Sequence, residues 1–211
     1  MSRTSTSRPG RRIGLGLVAA TVALGASVLS AAPASAAELK LTYPVSGTSI
    51  VAKTGGELKL GPGTLKSTVT PKPGGGDIVG DISLPPSQAT FEVVGFIPAK
   101  ATVTVLPTGP AVGEIKQGAL TARSSFNLQL TDIWVGVIPM IGAKCTTAEP
   151  VVVDLKSTGS FTVFNGGNLE GVYTIPKFGG CPVLDAALSS MISGPDNKLT
   201  FTLGKPTTGT S

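Results

Sequence analysis

The side chains that could do chemistry in this chain are mainly carboxylates, because the sequence contains no histidine. Two of them, Asp77 and Asp81, flank Ile78-Val79-Gly80 directly after a glycine-rich loop. Such a pair is compatible with a calcium site or with the acid–base chemistry of glycoside hydrolysis. We favour the simpler interpretation, that both are solvated residues at a turn and strand start. The remaining candidate carboxylates are scattered: Glu57, Glu92, Glu114, Asp132, Asp154 and Glu170.

The sequence lacks the motifs of the common catalytic classes. Without histidine there is no Ser-His-Asp or Cys-His arrangement and no imidazole metal ligand. A nucleophile elbow, a phosphate loop, a dinucleotide fingerprint and an EF-hand loop are also missing. We therefore predict no catalytic residues, no metal site, no cofactor and no enzyme activity. An enzyme that acts on glycans through a carboxylate pair is the least favoured alternative.

The two cysteines, Cys145 and Cys181, predict a disulfide. An even cysteine count in an exported chain is most simply a bridge. A metal or catalytic thiol would need histidine or further cysteines nearby. In the chain-entropy model, a bridge closing this loop removes roughly 4 kcal/mol of unfolded-state freedom.

Residues 1–36 have the build of a secretory signal peptide. Four arginines precede an apolar run from Ile13 to Leu29, and Ala34-Ser35-Ala36 then gives a small-x-small cleavage pattern. We expect cleavage after Ala36 and a single β-rich domain over 37–211. The mature chain would then be extracellular or loosely associated with the cell wall, with no transmembrane anchor.

Removing this segment changes the charge balance. The whole chain carries 17 Lys+Arg against 12 Asp+Glu, but four of the positive charges lie before residue 37. The remaining 13 positive and 12 negative charges nearly cancel. A nearly neutral domain has no electrostatic footprint for nucleic acid, so we predict no nucleic-acid partner.

Most of the mature chain alternates apolar and polar residues with period 2, and Gly/Pro turn signals separate the runs. This pattern predicts an all-β domain, first as a two-sheet sandwich and alternatively as a flattened β-barrel. One segment differs: between residues 183 and 192, apolar residues recur at i, i+3, i+4 and i+7. We predict one short helix there, with Leu184, Ala187, Leu188 and Met191 on its apolar face.

The most apolar stretch of the mature chain, Ile133–Ile141, contains its only tryptophan, Trp134. It is compatible with a core strand buried on both faces, which we favour, with the wall of an apolar pocket, or with an exposed patch for a partner. If a cavity for an apolar or lipid-like ligand exists, its candidate lining is Trp134, Val137, Ile138, Met140, Phe96 and Phe178.

Several features of the chain occur together: the Ala/Arg-rich signal, the two cysteines and four segments, 39–48, 52–56, 60–63 and 173–176. On these residues the chain resembles a family of small secreted actinobacterial proteins of unknown function. The resemblance implies export and a β fold, and it implies no catalytic residues.

We therefore expect a non-enzymatic protein that acts by binding, or as a structural component, at or outside the cell envelope. The first alternative is a carrier of an apolar or lipid-like ligand, with its cavity near Trp134. An envelope component or a lipid-like ligand is the partner that these interpretations imply.

Intact mass of protein purified from the culture medium tests the processing and the bridge together. We expect a chain that begins at Ala37 and is two hydrogens lighter than its reduced form. A secreted chain that keeps residues 1–36, or one with two free thiols, would contradict the prediction.

Overall fold

The computed structural model describes residues 37–93, 96–140, 144–181 and 185–208. The predicted signal peptide 1–36, the predicted helix start at 183–184 and Ile141 lie outside these residues. The strands are β1 (Leu39–Ile50), β2 (Glu57–Lys72), β3 (Gly75–Ser83), β4 (Ser87–Val93), β5 (Ile97–Pro107), β6 (Ala111–Lys116), β7 (Ala119–Val135), β8 (Ile138–Pro139), β9 (Cys145–Thr147), β10 (Val151–Ser157), β11 (Gly167–Ile175), β12 (Phe178–Gly179), β13 (Gly194–Leu203) and β14 (Thr207–Thr208). The helix α1 is Asp185–Ile192.

Eight antiparallel strands close into a barrel. Their order is β10-β11-β13-β1-β2-β3-β6-β7, and β7 pairs back to β10. Along each strand the apolar residues of one phase, such as Leu41, Tyr43 and Val45 of β1, are buried inside. The register between β1 and β2 shifts at a β-bulge between Val45 and Gly47. Bulges of this kind bend strands in barrels.

Strand β7 belongs to the barrel only in its first half. Residues 119–126 pair with β6 and β10, whereas residues 126–135 pair mainly with β5, β8 and β9. Strand β4 continues this second layer beyond β5. The β4–β5 pair and the second half of β7 therefore form an overhang above one end of the barrel, which we call the open end.

The opposite end is closed by the segment 158–166, between β10 and β11. Phe161 of this segment is 1 % exposed, and its backbone N–H donates to the Gly118 carbonyl at 2.8 Å. Its ring lies 6.4 Å from the ring of Tyr43, whose hydroxyl donates to the Val163 carbonyl at 2.6 Å. Phe161 thus acts as a side-chain plug for this end, which we call the closed end.

The disulfide Cys145–Cys181 joins β9 to a residue four positions before the start of α1. Both cysteines are buried, and the Asp185 carboxylate accepts a hydrogen bond from the Cys181 backbone N–H at 2.9 Å. The helix contributes Leu188 to the core. Within the described ranges, no helix is long and apolar enough to cross a membrane.

The all-β class, the single short helix and the disulfide pairing are confirmed. Of the two architectures considered, the closed ring is the barrel and not the two-sheet sandwich. A sandwich and a flattened barrel share the same period-2 pattern, and the β7–β10 pairing distinguishes them. The helix face is partly as predicted, since Leu188 is buried and Met191 half-buried, whereas Ala187 is exposed.

We expect Phe161→Ala to destabilise the protein by about 3–5 kcal/mol, because it removes the ring that plugs the closed end and leaves a void. The matched control is Phe164→Ala in the same segment, whose side chain is 60 % exposed and should change stability little. Urea unfolding of both variants measures the difference. Equal losses of stability would contradict the assignment of Phe161 as the plug.

Candidate functional site

An apolar cavity of about 90 Å³ lies inside the open end, between the barrel and the overhang. Its walls come from both layers: Leu60 and Phe201 from the barrel, Val103 and Leu128 from the overhang, and Ile192 from α1. On the strands, these side chains point inward in the alternation of inward and outward residues, and most of the five are buried. The cavity thus lies where side chains of the barrel, the overhang and α1 meet.

A second apolar cavity of about 50 Å³ lies deeper in the barrel. Ile82, Ser124 and Phe201 line both cavities, so these three side chains separate them. Leu120 and Leu169 also line the second cavity, so the unfilled space reaches from the open end into the barrel.

The cavity wall carries one buried hydroxyl pair. Ser49 Oγ lies 2.6 Å from the Tyr173 hydroxyl, and both residues line the cavity. Burial raises the pKa of Tyr173, and the hydrogen bond to Ser49 opposes part of this rise. The Tyr173 ring meets the ring of Phe126 edge-on at 6.4 Å, which fixes its orientation in the wall.

An outer groove adjoins the cavity. Thr54, Gly56, Thr90 and Phe91 line both spaces, so the wall between them is one side chain thick. Across this groove, Lys53 Nζ donates to the Ser190 carbonyl of α1 at 3.0 Å. This bond ties the turn after β1 to the helix beside the cavity.

The structure places the six predicted cavity residues in two regions. Phe178 is buried and lines the cavity. Trp134, Ile138, Phe96 (74 % exposed) and Val137 (88 % exposed) lie on the surface. Met140 is half-buried against the core. The cavity described above lies inside the open end, and of the six residues Phe178 lines it.

The surface position of Trp134 follows from strand geometry. Consecutive residues of a strand face opposite sides, so Ile133 is buried and Trp134 faces outward, with Lys100 Nζ 5.0 Å from the centre of its ring. Val137 and Ile138 form the tip of the hairpin that follows. The stretch is thus not a strand buried on both faces, and of the three interpretations the exposed patch describes its position.

Asp77 and Asp81 are not spaced as a catalytic carboxylate pair. Asp77 and Asp81 lie on β3, four residues apart, which corresponds to roughly 13 Å along a strand. Glycosidase carboxylates are at most about 9.5 Å apart. Asp77 pairs with Lys72, and Asp81 is exposed. Among the described residues, no three metal-ligating side chains cluster.

One exposed ion pair spans the pairing that closes the barrel. Arg123 of β7 and Asp154 of β10 are directly opposite, with two bonds of 2.7 and 2.9 Å. The hydrogen bond from Arg123 lowers the pKa of Asp154, and the pKa of Arg123 is raised in return. Because both groups are exposed, the pair should contribute little to the free energy of unfolding.

Sequence reasoning missed the hydroxyl pair. Ser49 has the same phase as Tyr43 and Val45, and Tyr173 has the same phase as Leu169 and Ile175, so the period-2 pattern places each side chain inside. Their contact depends on the strand order, which local periodicity does not contain.

No protein-family model and no curated protein matches this chain. Among solved structures, it is similar to the "Structure of DynF from the Dynemicin Biosynthesis Pathway of Micromonospora chersina". The two share 16 % sequence identity, and the match covers 94 % of this chain and 92 % of that chain with a TM-score of 0.33. This is a distant likeness.

Tyrosine titration tests the burial of both phenols. Burial raises the pKa of Tyr43 from 10.0 to about 12, and the pKa of Tyr173 is raised for the same reason. A raised phenol pKa stabilises the fold below pH 10 and stops doing so as the pH rises toward 12. We expect tyrosinate absorbance to appear above pH 10 together with the loss of the far-UV β signal. Ionisation of both phenols near pH 10 in the folded protein would contradict this.

Proposed function

We propose that this chain is an exported, non-enzymatic binding protein that takes an apolar ligand into the open end of its barrel. The observation that carries the proposal is the apolar cavity of about 90 Å³. Protein interiors are normally close-packed, and a void deprives its lining atoms of dispersion contacts. An apolar ligand of the right size would restore those contacts.

The size of the cavity limits the ligand. An engineered cavity of roughly 150 Å³ holds benzene, and drug-sized ligands occupy roughly 300–1,000 Å³. The cavity of this chain therefore suits a small apolar molecule, or the apolar end of a longer one. A longer ligand would extend past Thr90 and Phe91 into the outer groove, which shares these residues with the cavity.

The placement of the charged groups supports binding rather than catalysis. Asp77, Asp81 and Asp154 lie on the outer surface of the barrel strands, and Glu57 is the single carboxylate among the described residues that line the cavity, so no carboxylate pair faces it. The Cys145–Cys181 bridge supports the export part of the proposal, because disulfides persist in oxidising compartments.

Filling the cavity tests the proposal. Val153 lines the cavity and Val152, its neighbour on β10, faces outward. We expect Val153→Phe to abolish binding of xenon and 2-methylpropene, because the larger ring occupies the space, whereas Val152→Phe leaves binding unchanged. Methyl chemical shifts on titration measure binding.

A thermal scan of each variant shows whether it is folded. If Val153→Phe does not fold, Val103→Phe fills the cavity from the overhang side. Failure of the wild-type protein to bind either probe, or binding that survives in a folded filled variant, would overturn the proposal.

A further inference from the structure

Only one of the two O–H groups of the Ser49–Tyr173 pair donates in the hydrogen bond between them. Ser49 and Tyr173 each carry one O–H, and a single hydrogen bond of 2.6 Å joins their oxygens. Whichever hydroxyl donates, the other retains a hydrogen. Among the described residues, no second hydrogen-bond partner contacts either oxygen. One donor of the pair is therefore available to a molecule in the cavity.

Both residues of the hydroxyl pair lie in the buried wall of the cavity. Ser49 is 3 % exposed and Tyr173 is 7 % exposed, and both line the cavity. An O–H in such a position loses water without gaining a protein acceptor, which is unfavourable. A ligand that brings an acceptor atom removes this cost.

The pair is held by the backbone around it. Strand β13 lies between β11, which carries Tyr173, and β1, which carries Ser49. Asn197 of β13 donates to the Tyr173 carbonyl at 3.1 Å and accepts from the Ala52 N–H at 3.0 Å. One buried amide thus ties together the two chain segments that present the hydroxyls.

The charge of the cavity wall limits the ligand further. Among its described residues, no lysine or arginine lines the cavity, and Glu57 is the single charged residue. A carboxylate or phosphate inside would be a buried charge without a counter-ion, which is strongly unfavourable. The acceptor must therefore belong to a neutral group.

We infer that the Ser49–Tyr173 pair is the polar contact of the cavity, and that the ligand is a neutral apolar compound with an acceptor oxygen, such as a ketone, an ester or an ether. This inference rests on the proposed function. It adds a chemical class to the ligand, because a pure hydrocarbon would leave the donor unpaired.

Two small probes of equal shape test the inference: acetone, which has a carbonyl oxygen, and 2-methylpropene, which has a CH₂ group in its place. Removing both hydroxyls with Ser49→Ala/Tyr173→Phe should lower the preference for the ketone over the hydrocarbon by roughly three- to tenfold. The double variant is needed because either hydroxyl left alone still has a hydrogen to donate. Isothermal titration gives the two affinities.

The matched control is Ser67→Ala/Tyr43→Phe, which removes a buried serine and a buried tyrosine hydroxyl at the closed end. Neither residue lines the cavity, and they bond instead to the Leu41 and Val163 carbonyls. We expect the wild-type ratio of affinities in this control. Equal ratios in both double variants would overturn the inference and leave apolar binding intact, whereas a wild-type protein that binds neither probe would overturn the proposed function itself.

A second measurement does not depend on the folding of any variant. The carbonyl stretch of acetone bound to the wild-type protein should lie at a lower infrared frequency than in a hydrocarbon solvent, because the hydroxyl donates to the oxygen. A bound ketone with the hydrocarbon-solvent frequency would overturn the inference.

Discussion

Strand β7 pairs along both edges, but with different partners in its two halves, and the architecture depends on this change. Its 17 residues reach roughly 55 Å, longer than the barrel needs. The first half pairs with β6 and β10 and closes the ring, and the second half carries the overhang. Because Phe126 and Leu128 stay on the inward face across the change, the two layers share one interior. The cavity lies where they meet.

The interior is packed differently at the two ends of the barrel. At the closed end, the segment 158–166 packs Phe161 against Tyr43 and covers this end. At the open end, the walls come from the turn after β1, the overhang, β12 and α1, which are held together by the disulfide, Asn197 and the Lys53–Ser190 bond. Side chains delivered by several separate elements cover this end without filling it. A binding site at the open end is consistent with this difference.

Local pattern predicted much of the fold and little of the site. The alternation in β1, β10 and β13 indicates which residues are inside, because a strand places successive side chains on opposite faces. Phe178 and Trp134 were both predicted to line a cavity, and only Phe178 lines the one at the open end, because an apolar run at a hairpin tip looks like a buried strand until the neighbouring layer is known. Ser49 and Tyr173 are 124 residues apart, so nothing in either local sequence indicates their contact.

By itself, the sequence determined the all-β class, the inward phase of most strands, the single short helix and the pairing of its two cysteines. Each of these depends on residue type or on spacing within a few positions. The tertiary structure decided the closure of β7 onto β10, the position of the cavity and the hydroxyl pair in its wall. These depend on which strands become neighbours. Period-2 alternation indicates which face of its strand a side chain occupies, but it does not indicate which residues lie opposite that face.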